Sequence, residues 1–391
     1  MAEAVIVEAV RSPVGKRNGG LSGVHPAELS AQVLNGLVQR AGVDPALVDD
    51  VIWGCVMQAG EQALDIGRTA LLTAGWPESV PGVTVDRQCG SSQQSVHFAA
   101  AGVVAGHYDV VVAGGVESMS RTPMGASLAS GGNPYPGGFK DRYSQTPNQG
   151  VGAEMIAEQW GLSRTQLDEF SAQSHQNAAR ATKDGLFDNE LAPIAGLTHD
   201  EIIRPDTTVD TLAGLKPAFY NEAIGARFPQ IGWQITPGNS SPLSDGSAAV
   251  MIASGAAARR LGLRPLARIH TTVAVGSDPL YMLTGVIPAA EKVLARSGLK
   301  LSDIDLFEVN EAFAPVVLSW AKEIGGESDS DLLSRTNVNG GAIAIGHPLG
   351  ASGARIMTTL VNALEQRDGR YALQTMCEGG GMANATILER L

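Results

Sequence analysis

Cys89 is the residue whose setting is most typical of a catalytic nucleophile. It lies in TVDRQCGSSQQS, where an extended run leads through Cys-Gly-Ser-Ser into an alanine-rich helical pattern. The pattern predicts a strand-to-helix turn, where the N–H groups of a helix N-terminus stabilise a thiolate and lower its pKa. The alternative is a buried structural cysteine, the usual state of a free cysteine. The turn favours the reactive interpretation.

His347 is the best candidate for a base that would activate this thiol. It lies in NVNGGAIAIGHPLGASGAR, where the density of glycine indicates tight turns and close approach to a ligand. Pro348 suits the first turn of a following helix. An incidental histidine in a packing loop is the alternative. Because a Cys–His pair within hydrogen-bonding reach activates a thiol, the two residues together make a stronger hypothesis than either alone.

Two strand ends in the C-terminal half carry further polar groups. Cys377 ends YALQTMC and is followed by Glu378 and three glycines, so it offers an acid/base thiol beside N–H groups suited to an oxyanion hole. Asn310, in Asn-Glu-Ala-Phe, ends another strand, and its amide could orient a water or an oxyanion. The alternatives are a packing cysteine and an asparagine that caps the next helix.

The remaining cysteine and histidines are weaker candidates. Cys55 follows an apolar run and is predicted to belong to the core. His97 lies eight residues into the helix that follows Cys89, about 12 Å along its axis, which is too far for the base. No HExxH or paired-ligand spacing indicates a metal, and no Gly-x-Gly-x-x-Gly spacing indicates a dinucleotide.

The elements that must position these residues alternate between strand and helix. Apolar strands at 4–10, 51–56 and 109–113 alternate with helical patterns at 27–41 and 91–104, as in an α/β sheet covered on both faces. Three pairs match in the same order at offsets of 256, 263 and 258: 41–54 with 297–310, 106–117 with 369–380, and Cys89 with His347. This repetition predicts a duplicated unit whose pseudo-twofold axis brings the two turns together.

The duplication leaves a long insertion between the halves. It is rich in Gly, Pro, Ser and Asn at its start, and Ser163 with Gln166 predicts a capping box for a helix over 163–183. We interpret the insertion as a loop-rich lid. The predicted domains are an N-terminal α/β half at 1–118 plus 246–265, the lid at 119–245 and a C-terminal α/β half at 266–391.

Composition excludes several classes of function. The 391 residues include 28 Lys and Arg against 40 Asp and Glu, a net charge of −12, which argues against a broad nucleic-acid or anionic membrane surface. No uncharged stretch is apolar enough to predict a membrane span. Three cysteines without CxxC spacing favour a reducing compartment, so we expect a cytoplasmic protein.

The order of four motifs resembles that of the thiolases. The motifs are Cys-Gly-Ser-Ser, Asn-Glu-Ala-Phe, Gly-His-Pro-x-Gly-x-Ser-Gly and Cys-x-Gly-Gly-Gly, and the resemblance runs from residue 4 to the C-terminus. It is greatest to bacterial acetyl-CoA C-acyltransferases, particularly actinobacterial ones of steroid degradation. It implies a duplicated five-layered αβαβα sandwich with an inserted loop domain, in a homodimer or homotetramer. It also implies acyl-CoA and coenzyme A as substrates and no tightly bound cofactor.

The resemblance assigns roles to the candidate residues. Cys89 matches the family's nucleophile, His347 its activating base, and Cys377 the acid/base thiol that handles the acetyl α-carbon. Asn310 matches the asparagine that orders a water in one oxyanion hole together with the histidine. The N–H groups of Cys89 and Gly379 match the other hole.

Two further positions match the coenzyme A site, and together the matches imply a reaction. Ser241, in GNSSPLSDG, matches a serine that contacts the pantetheine arm, and Lys216 a basic residue near the nucleotide end. The implied reaction is thiolytic cleavage of a 3-ketoacyl-CoA through a Cys89 acyl-enzyme, or the reverse Claisen condensation. The alternatives are a short-chain acetoacetyl-CoA thiolase acting in the condensing direction, a decarboxylating ketoacyl synthase, which lacks the second catalytic cysteine, and a non-catalytic acyl-CoA-binding protein.

Some positions depart from the family pattern. The departures near the site are Asp86, Ser92, Glu378 and Ala383. A carboxylate beside Cys377 would disfavour its thiolate. In the insertion, Asn148-Gln149 replaces the His-Met of the short-chain enzymes, and the stretch 220–237 is about ten residues longer than its counterpart there. Because the stretch brings Phe228, Ile231 and Trp233 near Ser241, it predicts a bulky acyl group, with packing against another subunit as the alternative.

Overall fold

The computed structural model describes residues 3–143 and 147–391. Its strands are β1 (Ala4–Arg11), β2 (Gly15–Lys16), β3 (Asp50–Gly54), β4 (Gly82–Val85), β5 (Val110–Ser118), β6 (Ser244–Ser254), β7 (Ala267–Gly276), β8 (Leu306–Val309), β9 (Tyr371–Glu378) and β10 (Met382–Arg390). Its helices are α1 (Pro26–Ala41), α2 (Ile66–Thr73), α3 (Ser91–Val104), α4 (Gly137–Arg142), α5 (Gln149–Gln159), α6 (Arg164–Lys183), α7 (Val209–Ala213), α8 (Glu222–Arg227), α9 (Gly255–Leu261), α10 (Val286–Ser297), α11 (Ala314–Gly325), α12 (Asp329–Ser334), α13 (Ala342–Ile345) and α14 (Ser352–Gln366).

The strands of the described ranges form one mixed sheet of ten strands with an internal symmetry. The order is β4-β3-β5-β6-β1-β7-β10-β9-β8, and β2 pairs with the start of β6. β3 is parallel to β4 and β5, and β8 is parallel to β9. The strands β6, β5 and β3 on one side of the β1–β7 junction occupy the places of β10, β9 and β8 on the other. The junction itself has two residue pairs, Val5 with Arg268 and Ile6 with Ala267.

Three buried hydrophobic clusters lie between the layers of the fold. One packs α1 and α2 on the outer face of the N-terminal half-sheet, around Trp53. A second fills the space between the two half-sheets, where α3 and α14 lie, and includes Met357. The third packs α10 and α11 on the outer face of the C-terminal half-sheet, around Trp320. The layers therefore follow one another as αβαβα, with helices covering both faces of the sheet.

The position of α3 explains its composition. It begins at Ser91 and ends at Val104, as predicted, and its first seven residues are all buried. This enclosed first half has no solvated face and carries no charged residue, whereas Phe98, Ala101 and Val104 further along the helix are exposed. The α6 capping box is also present, because Ser163 Oγ accepts from the Gln166 N–H at 3.3 Å and Gln166 Oε1 accepts from the Ser163 N–H at 2.9 Å.

The helix expected after His347 is present, but Pro348 lies just before it and not in its first turn. The chain leaves α13 through Gly346, whose φ of 115° lies where side-chain-bearing residues are strained. Pro348 then precedes a short 3-10 turn, Leu349–Ala351, and α14 starts only at Ser352. His347 therefore lies five residues before α14, whereas Cys89 lies two residues before α3.

The insertion lies between β5 and β6 and carries α4 to α8 in its described part. β6 begins at Ser244, two residues before the predicted boundary at 246. The division into two halves and a lid stays a prediction. In 3–143 and 147–391, no helix is both long and apolar enough to cross a membrane.

Candidate active site

Cys89 lies in the turn between β4 and α3, and the turn is held by its neighbours. The Arg87 N–H donates to Ser91 Oγ at 2.9 Å, and the same hydroxyl donates to the Gln88 carbonyl at 2.6 Å. Gln88 has a φ of 47°, in the left-handed region. These bonds fold the chain back so that Cys89 precedes the N-cap residue Gly90 with its side chain 4% exposed.

Burial dominates the electrostatics of the Cys89 thiol. It raises the pKa of Cys89 well above the ordinary value, and Cys377 and Glu378 raise it further. The Gln149 amide opposes them, since its Nε2 lies 4.0 Å from Cys89 Sγ. The expectation of a lowered pKa for Cys89 is wrong, because desolvation outweighs the hydrogen bonds that lower it. The resting thiol is neutral and must lose its proton to a base.

The hydrogen bonds of His347 assign its tautomer. Its Nδ1 lies 2.5 Å from Ser352 Oγ, whose own hydrogen is donated to the Pro348 carbonyl at 2.8 Å. The hydroxyl can therefore only accept from the ring, so the proton is on Nδ1. Nε2 is left with a lone pair, toward which Asn310 Nδ2 points at 3.5 Å. The backbone N–H of His347 donates to Ser244 Oγ at 3.1 Å.

His347 is held in its neutral form. Burial, assisted by the positive charge of Arg355, lowers the pKa of His347 to about 3. A neutral imidazole with an unprotonated Nε2 is the form that accepts a proton. In the described residues no hydrogen bond joins Cys89 to His347. The two turns meet through side-chain packing, because Leu349 and Cys89 belong to one buried cluster with Met376.

Asn310 and Cys377 lie on neighbouring parallel strands of the C-terminal half. Asn310 directly follows β8, and its N–H donates to the Thr375 carbonyl of β9 at 3.1 Å. Cys377 is fully buried, and burial raises its pKa to about 12, while hydrogen bonding from Asn310 opposes this rise. The Asn310 amide thus faces both the imidazole of His347 and the Cys377 thiol.

Gly379 lies against the Cys89 turn. A Cβ on Gly379 would stand 2.9 Å from Gln88 Oε1, so this glycine and the residue before Cys89 are in contact. Gly380 and Gly381 follow with φ of 83° and 75°, which turn the chain sharply into β10. The backbone beside Cys377 is therefore brought next to the backbone beside Cys89.

Ser241 and Lys216 lie in the insertion beside this site. The half-buried Ser241 donates its N–H to the Ala312 carbonyl at 2.9 Å, which ties its loop to the Asn-Glu-Ala-Phe turn. Lys216 is exposed, and it follows Leu215, whose side chain packs against Gly238. The structure places Lys216 near the Ser241 loop but gives its ammonium group no partner among the described residues.

Sequence reasoning missed the residues that support the catalytic groups. Ser352 could have been found, because it lies in the His-Pro motif five positions after His347. Glu117 accepts the N–H groups of Val56, Met57 and Gly350, so it joins a loop of one half to a loop of the other.

Glu311 has a similar role in the C-terminal half. It accepts from Ser174, Asn337 and the Ile343 N–H. Burial raises the pKa of Glu117 and of Glu311. The rejected candidates make other contacts: Cys55 packs in the outer N-terminal core, and His97 Nε2 is 2.7 Å from Thr386 Oγ1.

Comparison with known families covers both halves of the chain. The family described as "Thiolase, N-terminal domain" matches residues 4–256, and "Thiolase, C-terminal domain" matches residues 263–390. The chain belongs to the thiolase family. The thiolase fold predicted from its motifs is confirmed by the crystal structure of the Bacillus anthracis acetyl-CoA acetyltransferase. That structure superposes with a TM-score of 0.89 at 37% identity, over 100% of this chain and 99% of the other.

Two relatives of this thiolase are similar over its full length. The steroid 3-ketoacyl-CoA thiolase FadA6 of Mycobacterium tuberculosis is 46% identical, covering 100% of this chain and 95% of that protein. The 3-ketoacyl-CoA thiolase of Erwinia tasmaniensis is 43% identical over 100% of both chains. The family predicted from the motifs is therefore confirmed.

Proposed function

We propose that the chain catalyses the thiolytic cleavage of 3-ketoacyl-CoA by coenzyme A. The observation that carries the proposal is a pair of buried thiols beside a neutral imidazole whose Nε2 is unprotonated. Thiolysis needs a nucleophile for the ketone, a base to activate it and a second acid for the enolate that leaves. Relatives named 3-ketoacyl-CoA thiolase support this reaction.

In the first half-reaction Cys89 would attack the ketone carbon. His347 Nε2 takes the Cys89 proton, the sulfur bonds to C3, and the C2–C3 bond breaks. The electron pair of that bond leaves as the acetyl-CoA enolate, and Cys377 protonates it at C2. The acyl group stays on Cys89 as a thioester, and Cys377 is left as a thiolate.

In the second half-reaction coenzyme A would remove the acyl group. Its thiol gives a proton to the Cys377 thiolate and attacks the thioester carbonyl. The Cys89 sulfur leaves and recovers its proton from His347. Atoms and charges then balance, since one 3-ketoacyl-CoA and one coenzyme A give acetyl-CoA and a shortened acyl-CoA.

Two oxyanion sites support these steps. Asn310, together with His347 and a water, would stabilise the enolate oxygen. The N–H groups of Cys89 and Gly379 would stabilise the oxyanion formed on the acyl carbon, and the contact between Gly379 and Gln88 supports this arrangement. Donors aimed at developing charge in a site closed to water supply a large part of such catalysis.

Coenzyme A would lie along the Ser241 loop, with Lys216 near its nucleotide end. The insertion would set the size of the acyl group. Phe228, Ile231 and Trp233 pack against α5, and α5 begins at Gln149, whose amide contacts Cys89. The stretch therefore supports the wall beside the nucleophile. We infer an acyl group bulkier than acetoacetyl, and the steroid thiolase named among the relatives supports it.

Specificity for a bulky group can be measured directly. We would measure kcat/KM for thiolysis of 3-ketoacyl-CoAs whose acyl groups range from acetoacetyl to polycyclic. Each part of the acyl group that becomes well buried should stabilise the transition state by about 1–3 kcal/mol, which raises kcat/KM by about 10- to 200-fold. Trp233→Ala should flatten this rise. Efficiency that is highest for acetoacetyl-CoA and falls with each added carbon would instead favour the short-chain enzyme.

The assembly and location are also proposed. β4 is the terminal strand of the sheet, and Val83 on it is 43% exposed. A free apolar strand edge is usually covered, and a second copy of the chain would cover it as a homodimer. Sedimentation of wild type and Val83→Lys tests this assignment. Three free cysteines remain the basis for a cytoplasmic location.

The acyl-enzyme tests the function itself. Incubation with a 3-ketoacyl-CoA in the absence of coenzyme A should leave the acyl mass on the peptide that contains Cys89. Protein that binds coenzyme A tightly but is never acylated would support the non-catalytic alternative.

A further inference from the structure

Glu378 is a buried carboxyl group that the reaction above does not use. It ends β9 directly after Cys377, it is fully buried, and neither of its oxygens has a hydrogen-bond partner among the described residues. An isolated ionised carboxylate is strongly disfavoured in such surroundings, and the group instead keeps its proton. Arg11 with Glu190 and Asp200 shows the contrast, because those buried carboxylates are paired with a cation.

The carboxyl group occupies the space left by a glycine at the nucleophile turn. A Cβ on Gly90 would stand 2.0 Å from Glu378 Oε1 and 2.9 Å from Asn384 Nδ2. Asn384 Nδ2 donates to the Gly90 carbonyl at 3.1 Å. Glu378 therefore packs directly against the residue that follows Cys89, which gives a physical reason for glycine at position 90.

Strand alternation separates the two neighbours in β9. Cys377 pairs with Ala383, whereas Glu378 pairs with Met382, so their side chains point to opposite faces of the strand pair. Glu378 is thus on the face toward α3, and it reaches the Cys89 turn. A single strand end supplies the acid/base thiol to one side and this carboxyl group to the other.

The titratable and charged groups that face Glu378 come from the nucleophile turn and from its own strand. They are Asp86, Arg87, Cys89 and Cys377, and the neutral Asn384 faces it from β10. Burial raises the pKa of Glu378 to about 8, Arg87 opposes the rise and Asp86 adds to it. In return, Glu378 raises the pKa of both thiols.

We propose that Glu378 is a positioning residue that controls the charge of the two-thiol site. When Glu378 is neutral, Cys89 and then Cys377 can form a thiolate during the reaction. When Glu378 is ionised, its negative charge disfavours both thiolates. The inference rests on the proposed thiolysis, because only that reaction needs each thiolate. The alkaline limit of the reaction is then set by a carboxyl group outside the reacting atoms.

Alkylation of Cys89 by iodoacetamide tests the proposal without turnover. The rate should be equal within about twofold in wild type and Glu378→Gln near pH 6.5, where the wild-type carboxyl group is neutral. Near pH 9 the variant should react about 3- to 10-fold faster, because one pKa unit of the thiol is a tenfold change in thiolate. The ratio should change with a midpoint near pH 8.

Asp86→Asn is the matched control. Asp86 faces the same turn but is exposed, and its charge raises the pKa of Glu378, so Asp86→Asn should keep the pH-dependent change in rate and move its midpoint below pH 8. A Glu378→Gln ratio that is constant with pH, or an equal loss of rate at every pH, would overturn the proposal.

A second measurement keeps the test independent of the variant's folding. The infrared carbonyl band of carboxylic acids in wild-type protein should lose the contribution of one group between about pH 7 and pH 9, with a midpoint near pH 8. Glu308, whose pKa burial also raises, can contribute to the band. A band that does not change between these pH values would sink the idea. If wild type is never acylated at Cys89, the proposed function fails while the alkylation ratio still reports on Glu378.

Discussion

The turn that carries Cys89 and the turn that carries His347 occupy equivalent places in the two halves, but they are held differently. Cys89 passes almost directly into α3, and the side chain that contacts its sulfur within the described ranges is the Gln149 amide at 4.0 Å. His347 is separated from α14 by a 3-10 turn, and Ser352 reaches back to its ring at 2.5 Å.

This difference matches the work that each side chain would do. A nucleophile must change its bonding partner during the reaction, so its sulfur is left with few fixed contacts. A base must present one nitrogen in one direction, so its other nitrogen is bonded. Duplication places the two turns face to face, and a few local residues make one adaptable and the other fixed.

Removal of the nucleophile should have the largest effect, because the Cys89 turn then has no group that can attack the substrate. Cys89→Ala should lower kcat/KM by about 10⁴-fold or more, since a covalent intermediate cannot form. Mass spectrometry after incubation with acetyl-CoA should show no acetyl group on the protein. Cys55→Ala, which removes a buried thiol of the outer N-terminal core, should still be acetylated. A label carried by Cys377 alone in wild type would reverse the roles of the two thiols.

The second thiol should be separable from the first. Cys377→Ala removes the acid for the enolate but leaves the attacking sulfur, so acyl transfer to Cys89 should survive. Exchange of the acetyl α-protons with deuterated solvent should fall by about 10²–10⁴-fold, the usual size of general acid–base catalysis. Unchanged α-proton exchange, followed by NMR, would remove Cys377 from the mechanism.

Loosening the fixed turn should have an intermediate effect. Ser352→Ala removes the acceptor that keeps the proton on His347 Nδ1, so part of the population takes the wrong tautomer. We expect acylation of Cys89 to slow by about 10- to 100-fold, below the roughly 10⁴ seen where the orienting group is a carboxylate. Ser244→Ala, which removes a bond from the His347 backbone and one to the Pro242 carbonyl but none to the ring, should change the rate less. Equal rates in both variants would contradict the tautomer assignment.

The smallest expected effect concerns stability rather than rate. Burial lowers the pKa of His97 to about 3, so below its ordinary value of 6.5 the unfolded state binds a proton that the folded state does not. His97 therefore stabilises the fold less as pH falls from 6.5. When the pH falls from about 6.5 to 5.5, the free energy of unfolding should decrease in both proteins. The decrease should be smaller by about 1 kcal/mol in His97→Gln than in wild type. Urea titrations at the two pH values measure this, and parallel losses would contradict it.

The parts of the fold predicted well are those specified by local chemistry. The span Ser91–Val104 follows from an alanine-rich helix after a glycine, and the α6 capping box follows from Ser163 and Gln166. Pro348 was expected in the first turn of the helix after His347 but lies just before it, because a 3-10 turn precedes α14 and pattern matching between the halves does not detect such a turn.

The sequence predicted which residues form the site but not their contacts or their pKa values. Glycine density and motif order indicate Cys89, His347 and Cys377. The lowered pKa expected for Cys89 was wrong, because helix-end stabilisation is a local effect whereas desolvation depends on everything packed around the thiol. The buried positive charge of Arg355, which acts on His347, has no signature in its own stretch of sequence.

The pairing of β1 has a consequence for synthesis of the chain. Ala4 pairs with Ser254, so 250 further residues must be synthesised after Ala4 before β1 can pair with all of β6. At about 5–20 residues per second the wait is roughly 12–50 s, during which an apolar strand has both edges unpaired. The emerging chain must be shielded through that interval. The length of this interval depends on the sequence separation of β1 and β6, so no single substitution would shorten it.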